Sequence, residues 1–231
     1  MRYTKISLRF TTPFDMPYFI GSQIRGALGY ALKKVVCINP TYECKECFAA
    51  HNCLYYDFYE AKNGYHPYRL DFELGKSYYD LSLYLFEKAT DKLPFIVSAL
   101  HMMLTKNGLG KERTKISEYR LSVNDIPIVK EEKILLPKTP VMVYQPPQKS
   151  VSTITLKFLT PLRIKQNNRF VRNAEHLDLR SLINSLYQRK EMLEGRGVIW
   201  LQYMVQRNST KITQNKEGEL YAKRRKEKRI S

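Results

Sequence analysis

The alternation of two hydrophobic periods, two residues and about 3.6 residues, constrains the first half of this chain more than any single motif. Residues 3–12 alternate, with Ile6, Leu8 and Phe10 on one side and Lys5, Ser7 and Arg9 on the other, and Pro13 closes the run. That is a half-buried strand. From Ser22, read as an N-cap, apolar residues recur at Ile24, Ala27, Leu28, Ala31, Leu32, Val35 and Val36, which predicts a helix with one apolar face. Arg69–Leu74 and Tyr78–Phe86 read as strands joined by a turn at Gly75-Lys76. Asp91 is placed to cap a second helix carrying Leu93, Ile96, Val97, Leu100 and Leu104, ended by Asn107-Gly108. Lys115–Val123 reads as another strand. The order strand, helix, strand, strand, helix, strand predicts an α+β, ferredoxin-like (βαββαβ) domain, an arrangement also used by RNA-recognition domains.

Lys133–Tyr144 holds two short apolar runs split by Pro137 and Pro140, expected as a hairpin at a sheet edge. Gln145-Pro146-Pro147-Gln148 is a stiff linker, so the first domain is expected to span 1–145. Beyond it the opening pattern returns. Leu8-Arg9-Phe10-Thr11-Thr12-Pro13-Phe14 is echoed by Leu156-Lys157-Phe158-Leu159-Thr160-Pro161-Leu162, followed by a helix with Leu179, Leu182, Ile183, Leu186 and Leu193 capped by Asp178. The repeat predicts tandem ferredoxin-like domains. The second, over 150–206, is expected to be incomplete, and 207–231 to be a basic, disordered tail containing Lys223-Arg224-Arg225-Lys226.

Charge narrows the partner. The chain carries 39 Lys and Arg against 22 Asp and Glu, a net +17, with 17 tyrosines and one tryptophan. Excess positive charge favours polyanions, and tyrosines can stack on unpaired bases. The phosphate-contact candidates are Arg25, Lys33 and Lys34 on the non-apolar side of the first helix, Lys106, Lys111 and Arg113 around the glycines that follow the second, and Arg163 and Lys165 after the second Thr-Pro. Gly26 and Gly29 lie inside the first helix and cost about 1 kcal/mol each against alanine. Close packing is the favoured reason for them, ahead of approach by an RNA backbone. No apolar run reaches the roughly 18–20 residues of a membrane span, and the N-terminus is not a secretion signal, so a cytoplasmic protein with reduced thiols is expected.

All four cysteines fall between Cys37 and Cys53, spaced C-x6-C-x2-C-x5-C: Cys37, Cys44, Cys47 and Cys53. Four thiolates can close a tetrahedral zinc site around the inner C-x2-C pair, with an iron–sulfur cluster, metal-free thiols or a disulfide as the alternatives. Four protein ligands leave no open position, so such a zinc would brace the loop and take no part in chemistry.

The helix GSQIRGALGYALKKVVC, the cluster ending Cys53-Leu54-Tyr55, the run LPFIVSALHMMLTKNGLGKERTKISEYRL and the segment LTPLRIK together resemble, from about residue 5 to 200, the CRISPR-associated endoribonucleases that process precursor crRNA, the Cas-six branch of the RAMP superfamily. The resemblance implies two tandem ferredoxin-like domains and a glycine-rich loop, matched here by Gly108 and Gly110. It implies CRISPR repeat RNA or crRNA as partner, with other CRISPR-associated proteins. It also implies a metal-independent reaction in which a ribose 2′-OH attacks the adjacent phosphorus, leaving a 2′,3′-cyclic phosphate. His51 lies near where some relatives place their catalytic histidine, with Tyr42 and Lys45 close in sequence. His101 is expected to be structural, and His66 and His176 are further candidates for the base. Near Trp200 the pattern departs from relatives at Gln202 and Met204, and the glycine-rich loop expected near the family's C-terminus has no counterpart. A non-catalytic RNA-binding RAMP subunit is the alternative, followed by a zinc-stabilised protein-interaction module.

Overall fold

The computed structural model describes residues 1–61, 65–130, 133–146, 148, 158, 163–166, 169–173 and 176–195. The chain divides into two compact units, Met1–Ser152 and Thr153–Ser231.

In the first unit, β1 (Arg2–Phe10), α1 (Gly21–Val36), β2 (Tyr68–Phe72), β3 (Tyr79–Phe86), α2 (Leu93–Met102) and β4 (Tyr119–Val123) follow in the predicted order. The sheet runs β2-β3-β1-β4, extended at the β4 edge by β5 (Ile126–Pro127), and every pairing is antiparallel. This is the ferredoxin-like order. Period-two alternation in β1 explains the register: Ile6 faces Leu83 and Val123, and Leu8 faces Leu81 and Leu121. Phe10 stacks on Tyr79, ring centroids 4.5 Å apart at 7°. Against this layer α1 sets Ile24, Leu28, Ala31 and Leu32, and α2 sets Ile96, Val97 and Leu100, all buried in one core. Burying each such side chain contributes about 1.5–3 kcal/mol. Lys5, Ser7 and Arg9 alternate with the buried residues of β1.

The element ends differ from their sequence signals. The first helix starts at Gly21 with Ile20 as its N-cap and no side-chain cap, so Ser22 is not the capping residue. The Ile24 amide donates to the Ile20 carbonyl at 2.9 Å, carrying the first turn two residues earlier. A 3-10 turn over Glu87–Lys92 precedes α2, whose N-cap is Lys92. Asp91 does not cap; its carboxylate takes the Arg2 guanidinium at 3.2 Å. A π-turn, Met103–Asn107, extends α2 until Gly108 ends it, as predicted. The strand expected from Lys115 begins only at Tyr119, because the Ile116 amide is spent on the Leu104 carbonyl. The edge hairpin is split. β6 (Val129–Lys130) pairs β7 (Lys133–Ile134), and β8 (Met142–Val143) adds to β1 at Arg2 and Tyr3.

In the second unit, β9 (Lys165–Gln166) pairs β10 (Arg169–Phe170), and α3 spans Leu179–Leu193. Asp178 caps α3 as predicted, accepting from the Arg180 amide at 3.2 Å. Apart from Phe158, the repeated strand before Thr160-Pro161 lies outside the described residues, as do Gln202, Met204 and the 207–231 segment. Among the described residues no helix is long and apolar enough to cross a membrane.

Candidate nucleic-acid interface

On the side of α1 away from the core, Gly26, Tyr30 and Lys34 follow at i+4 spacing and form one exposed row. Arg25 is exposed beside it. The two helix glycines have different roles. A Cβ on Gly29 would meet the Tyr59 ring at 2.8 Å, so Gly29 packs as expected. A Cβ on Gly26 would meet nothing within 4 Å. Packing therefore does not account for Gly26, and the helix surface is bare there.

Two cavities open on this bare point and share Tyr30. One, about 460 Å³, lies between α1 and the loop from Asn107 to Arg113. The other, about 360 Å³, is lined by Arg25, Gly29, Tyr55 and Tyr59. The loop is built tightly. The Gly108 amide donates to Met103 O at 2.9 Å, and Leu109 and Thr114 exchange backbone hydrogen bonds at 2.9 Å each. With Leu109 and Ile116 buried, the turn holds Lys111 and Arg113 outward.

The cations along α1 rest on aromatic rings. The Arg25 guanidinium lies 5.0 Å from the Tyr59 ring centre, Lys33 Nζ 5.0 Å from Tyr55 and Lys34 Nζ 4.6 Å from Tyr30. Tyr55 and Tyr59 stack at 5.2 Å. Arg25 is held further by Nε donating to the Tyr68 hydroxyl at 3.0 Å, while the Tyr59 hydroxyl donates to the Arg25 carbonyl at 2.9 Å. Among the described residues no carboxylate pairs with Arg25, Lys33, Lys34, Lys106, Lys111 or Arg113. The sheet cations differ: Arg9 pairs Asp80 at 2.6 Å, Lys5 pairs Asp125 at 2.9 Å, and Arg69 pairs Asp71 at 3.0 Å. Among the described residues these three sheet cations are neutralised by carboxylates, and the α1 cations are not.

Tyr30 titrates within this field. Its phenol is lowered from the ordinary tyrosine value by a hydrogen bond with Lys34 and the Lys34 charge, with a smaller contribution from Arg113. A phenol depressed in the folded state favours folding in full above the ordinary tyrosine value, and that contribution fades below it and is gone once the pH has fallen through the depressed value. Phenolate absorbance in a pH titration should show one tyrosine ionising early, returned toward the ordinary range by Lys34→Ala. An unchanged titration of that variant would exclude Lys34 as the cause. Burial of Tyr59 pushes its phenol the other way, so it stays neutral.

The residues read as catalytic all lie on the loop that follows α1. His51 sits in the exposed 3-10 turn Ala50–Asn52, Tyr42 is exposed with a left-handed φ of 56°, and the Lys45 ammonium reaches only Glu46, at 4.0 Å. Among the described residues no hydrogen bond or ring contact joins the three. His101 Nδ1 is 2.6 Å from the Tyr119 hydroxyl, a link between α2 and β4 that fits a structural role. His66 lies beside the Tyr68 ring at 5.9 Å, and His176 sits in the turn before α3. In the second unit, the Arg163 guanidinium and Lys165 Nζ lie 4.1 and 5.1 Å from the Phe170 ring centre.

The cysteine loop leaves α1 directly. Asn39 organises it: its side-chain oxygen accepts from the Thr41 amide at 3.1 Å and its Nδ2 donates to Glu43 O at 2.9 Å. Cys37 Sγ donates to Asn39 O at 3.7 Å, and Asn39 Nδ2 donates to Cys47 Sγ at 3.6 Å. Cys44 lies against Lys33. Burial works against that ammonium, yet hydrogen bonding and charge from Cys44, with Tyr55 and Cys37, leave it raised. All four thiols are free and half-buried. Among the described residues no three metal-ligating side chains converge.

A family model described as the N-terminal domain AF_1859_N matches residues 1–153. The chain belongs to the AF_1859_N family. The match ends one residue past the Met1–Ser152 unit, so the family domain coincides with the ferredoxin-like unit. It contains the α1 groove, the glycine loop and the cysteine loop, while Arg163 and Lys165 fall beyond it. No curated protein matches the sequence.

Sequence reasoning found the cations of the AF_1859_N domain but missed Tyr30, Gln23 and Asn107. The i+4 row Gly26-Tyr30-Lys34 was the available signal for Tyr30. Gln23 and Asn107 had none, since only the loop's return to α1 puts them together.

Proposed function

We propose that this chain binds RNA along the α1 groove and processes CRISPR repeat RNA as an endoribonuclease. RNA binding rests on one observation above all. The groove's cations lie on aromatic rings or in solvent with no carboxylate among their described partners, while Lys5, Arg9 and Arg69 of the sheet are each paired with a carboxylate. Unneutralised charge beside exposed aromatic surface is what a flexible polyanion with stacking bases uses.

Cleavage rests on the resemblance to crRNA-processing enzymes. The reaction needs a base for the 2′-OH and an acid for the departing 5′-oxygen. His51, with Tyr42 and Lys45, remains the proposed source. Tyr30 joins them as a group already in the groove beside Lys34. Incubation with a labelled CRISPR-repeat RNA in EDTA should give one cut ending in a 2′,3′-cyclic phosphate. Tight binding without cleavage would instead support a non-catalytic RNA-binding subunit of a CRISPR complex.

Cys37, Cys44, Cys47 and Cys53 are proposed to hold a structural zinc. Their chemistry fits: four thiols on one loop, two of them already on Asn39. Protein purified without chelator should carry about one zinc per chain, and elemental analysis is the check. A folded protein with no bound metal would rule the zinc out.

A further inference from the structure

The cavity between α1 and the Asn107–Arg113 loop contains more than positive charge. Gln23 Oε1 accepts a hydrogen bond from the buried Tyr79 hydroxyl at 2.5 Å, which orients the amide and leaves its NH2 without a partner among the described residues. Asn107 also lines the cavity, but its Nδ2 is fully buried and does not face the open space. Gln23 lines a space of about 460 Å³, within the roughly 300–1,000 Å³ of small-molecule sites. The bare Gly26 lets a flat ligand approach the helix backbone. Tyr30 stands at the side, 50% exposed, whereas Tyr55 and Tyr59 are stacked on each other.

We propose that this cavity holds one unpaired nucleobase, stacked on Tyr30 and read along an acceptor-bearing edge by the side-chain amide of Gln23. An amide NH2 calls for a carbonyl oxygen or ring nitrogen, such as guanine's O6 or N7. Lys111 and Arg113 at the rim take the adjoining phosphates. A duplex keeps its base faces inside the stack and cannot present one to Tyr30, so the partner is single-stranded at this point. The proposal rests on the reading of the groove as an RNA interface and adds which chemistry it selects.

Fluorescence anisotropy on the full chain tests it with three probes: a short single-stranded oligoribonucleotide containing every base, the same strand with abasic riboses and all phosphates retained, and its duplex. The intact strand should bind about tenfold more tightly than either of the others, with the same salt slope on the abasic strand. Gln23→Ala and, as a half-exposed second variant, Tyr30→Leu should weaken the intact strand and leave the abasic strand unchanged. Equal affinity for intact and abasic strands, with the salt dependence intact, would overturn base reading and leave the RNA interface standing. No salt-dependent binding of any probe would overturn both.

Discussion

Replacing Lys34, Lys111 and Arg113 together by alanine will weaken binding of single-stranded RNA about a hundredfold near 0.1 M salt. It will also make the slope of log K against log salt shallower by about 2. Each single-strand phosphate contact contributes about 0.7 to that slope, so three lost contacts account for the change. Arg9→Ala combined with Arg69→Ala is the control. Those guanidiniums already face Asp80 and Asp71, so their loss exposes a carboxylate and removes little available positive charge. Titrations at several salt concentrations distinguish the two variants. A triple variant with an unchanged slope, or a sheet variant with the larger loss, would move the interface off α1.

Gly108→Ala will destabilise the Met1–Ser152 unit by about 3 kcal/mol. Gly108 has a φ of +73°, and a Cβ there would lie 2.0 Å from the Arg113 carbonyl oxygen and 2.8 Å from that of Thr114. Both obstacles are backbone, so relief means opening the Leu109–Thr114 pairing that closes the loop. A thermal melt should show a fall of roughly 6–12 °C. Gly26→Ala should move the other way, by about 0.5–1 kcal/mol, because alanine improves a helix interior and meets no neighbour. The groove reading adds that Gly26→Ala binds RNA less well despite its greater stability. A Gly108→Ala protein as stable as the parent would show that the loop closes without its glycine.

The order of elements was legible because periodicity is local. Ile6, Leu8 and Phe10 announce β1, and Ile24 through Leu32 announce the buried face of α1, whatever lies elsewhere in the chain. Ends were less legible because distant groups compete for the same atoms. Asp91 has a good capping position, yet its carboxylate goes to Arg2, 89 positions away in sequence. Ile116 has a strand residue's side chain, but its amide belongs to Leu104.

The site divides along the same line. The glycines of the loop, the cation-rich helix and the four clustered cysteines could be named from the chain as written, since composition and spacing are local properties. Which cations remain available was decided in three dimensions: Arg9 finds Asp80 71 positions on, while Lys34 rests on Tyr30 and meets no carboxylate among the described residues. Gly26 and Gly29 look alike in sequence and differ because Tyr59 arrives over one and leaves the other bare. Local order follows from side-chain period and backbone preference. Charge neutralisation and open space depend on what the fold brings from far along the chain, and only the tertiary structure decides those.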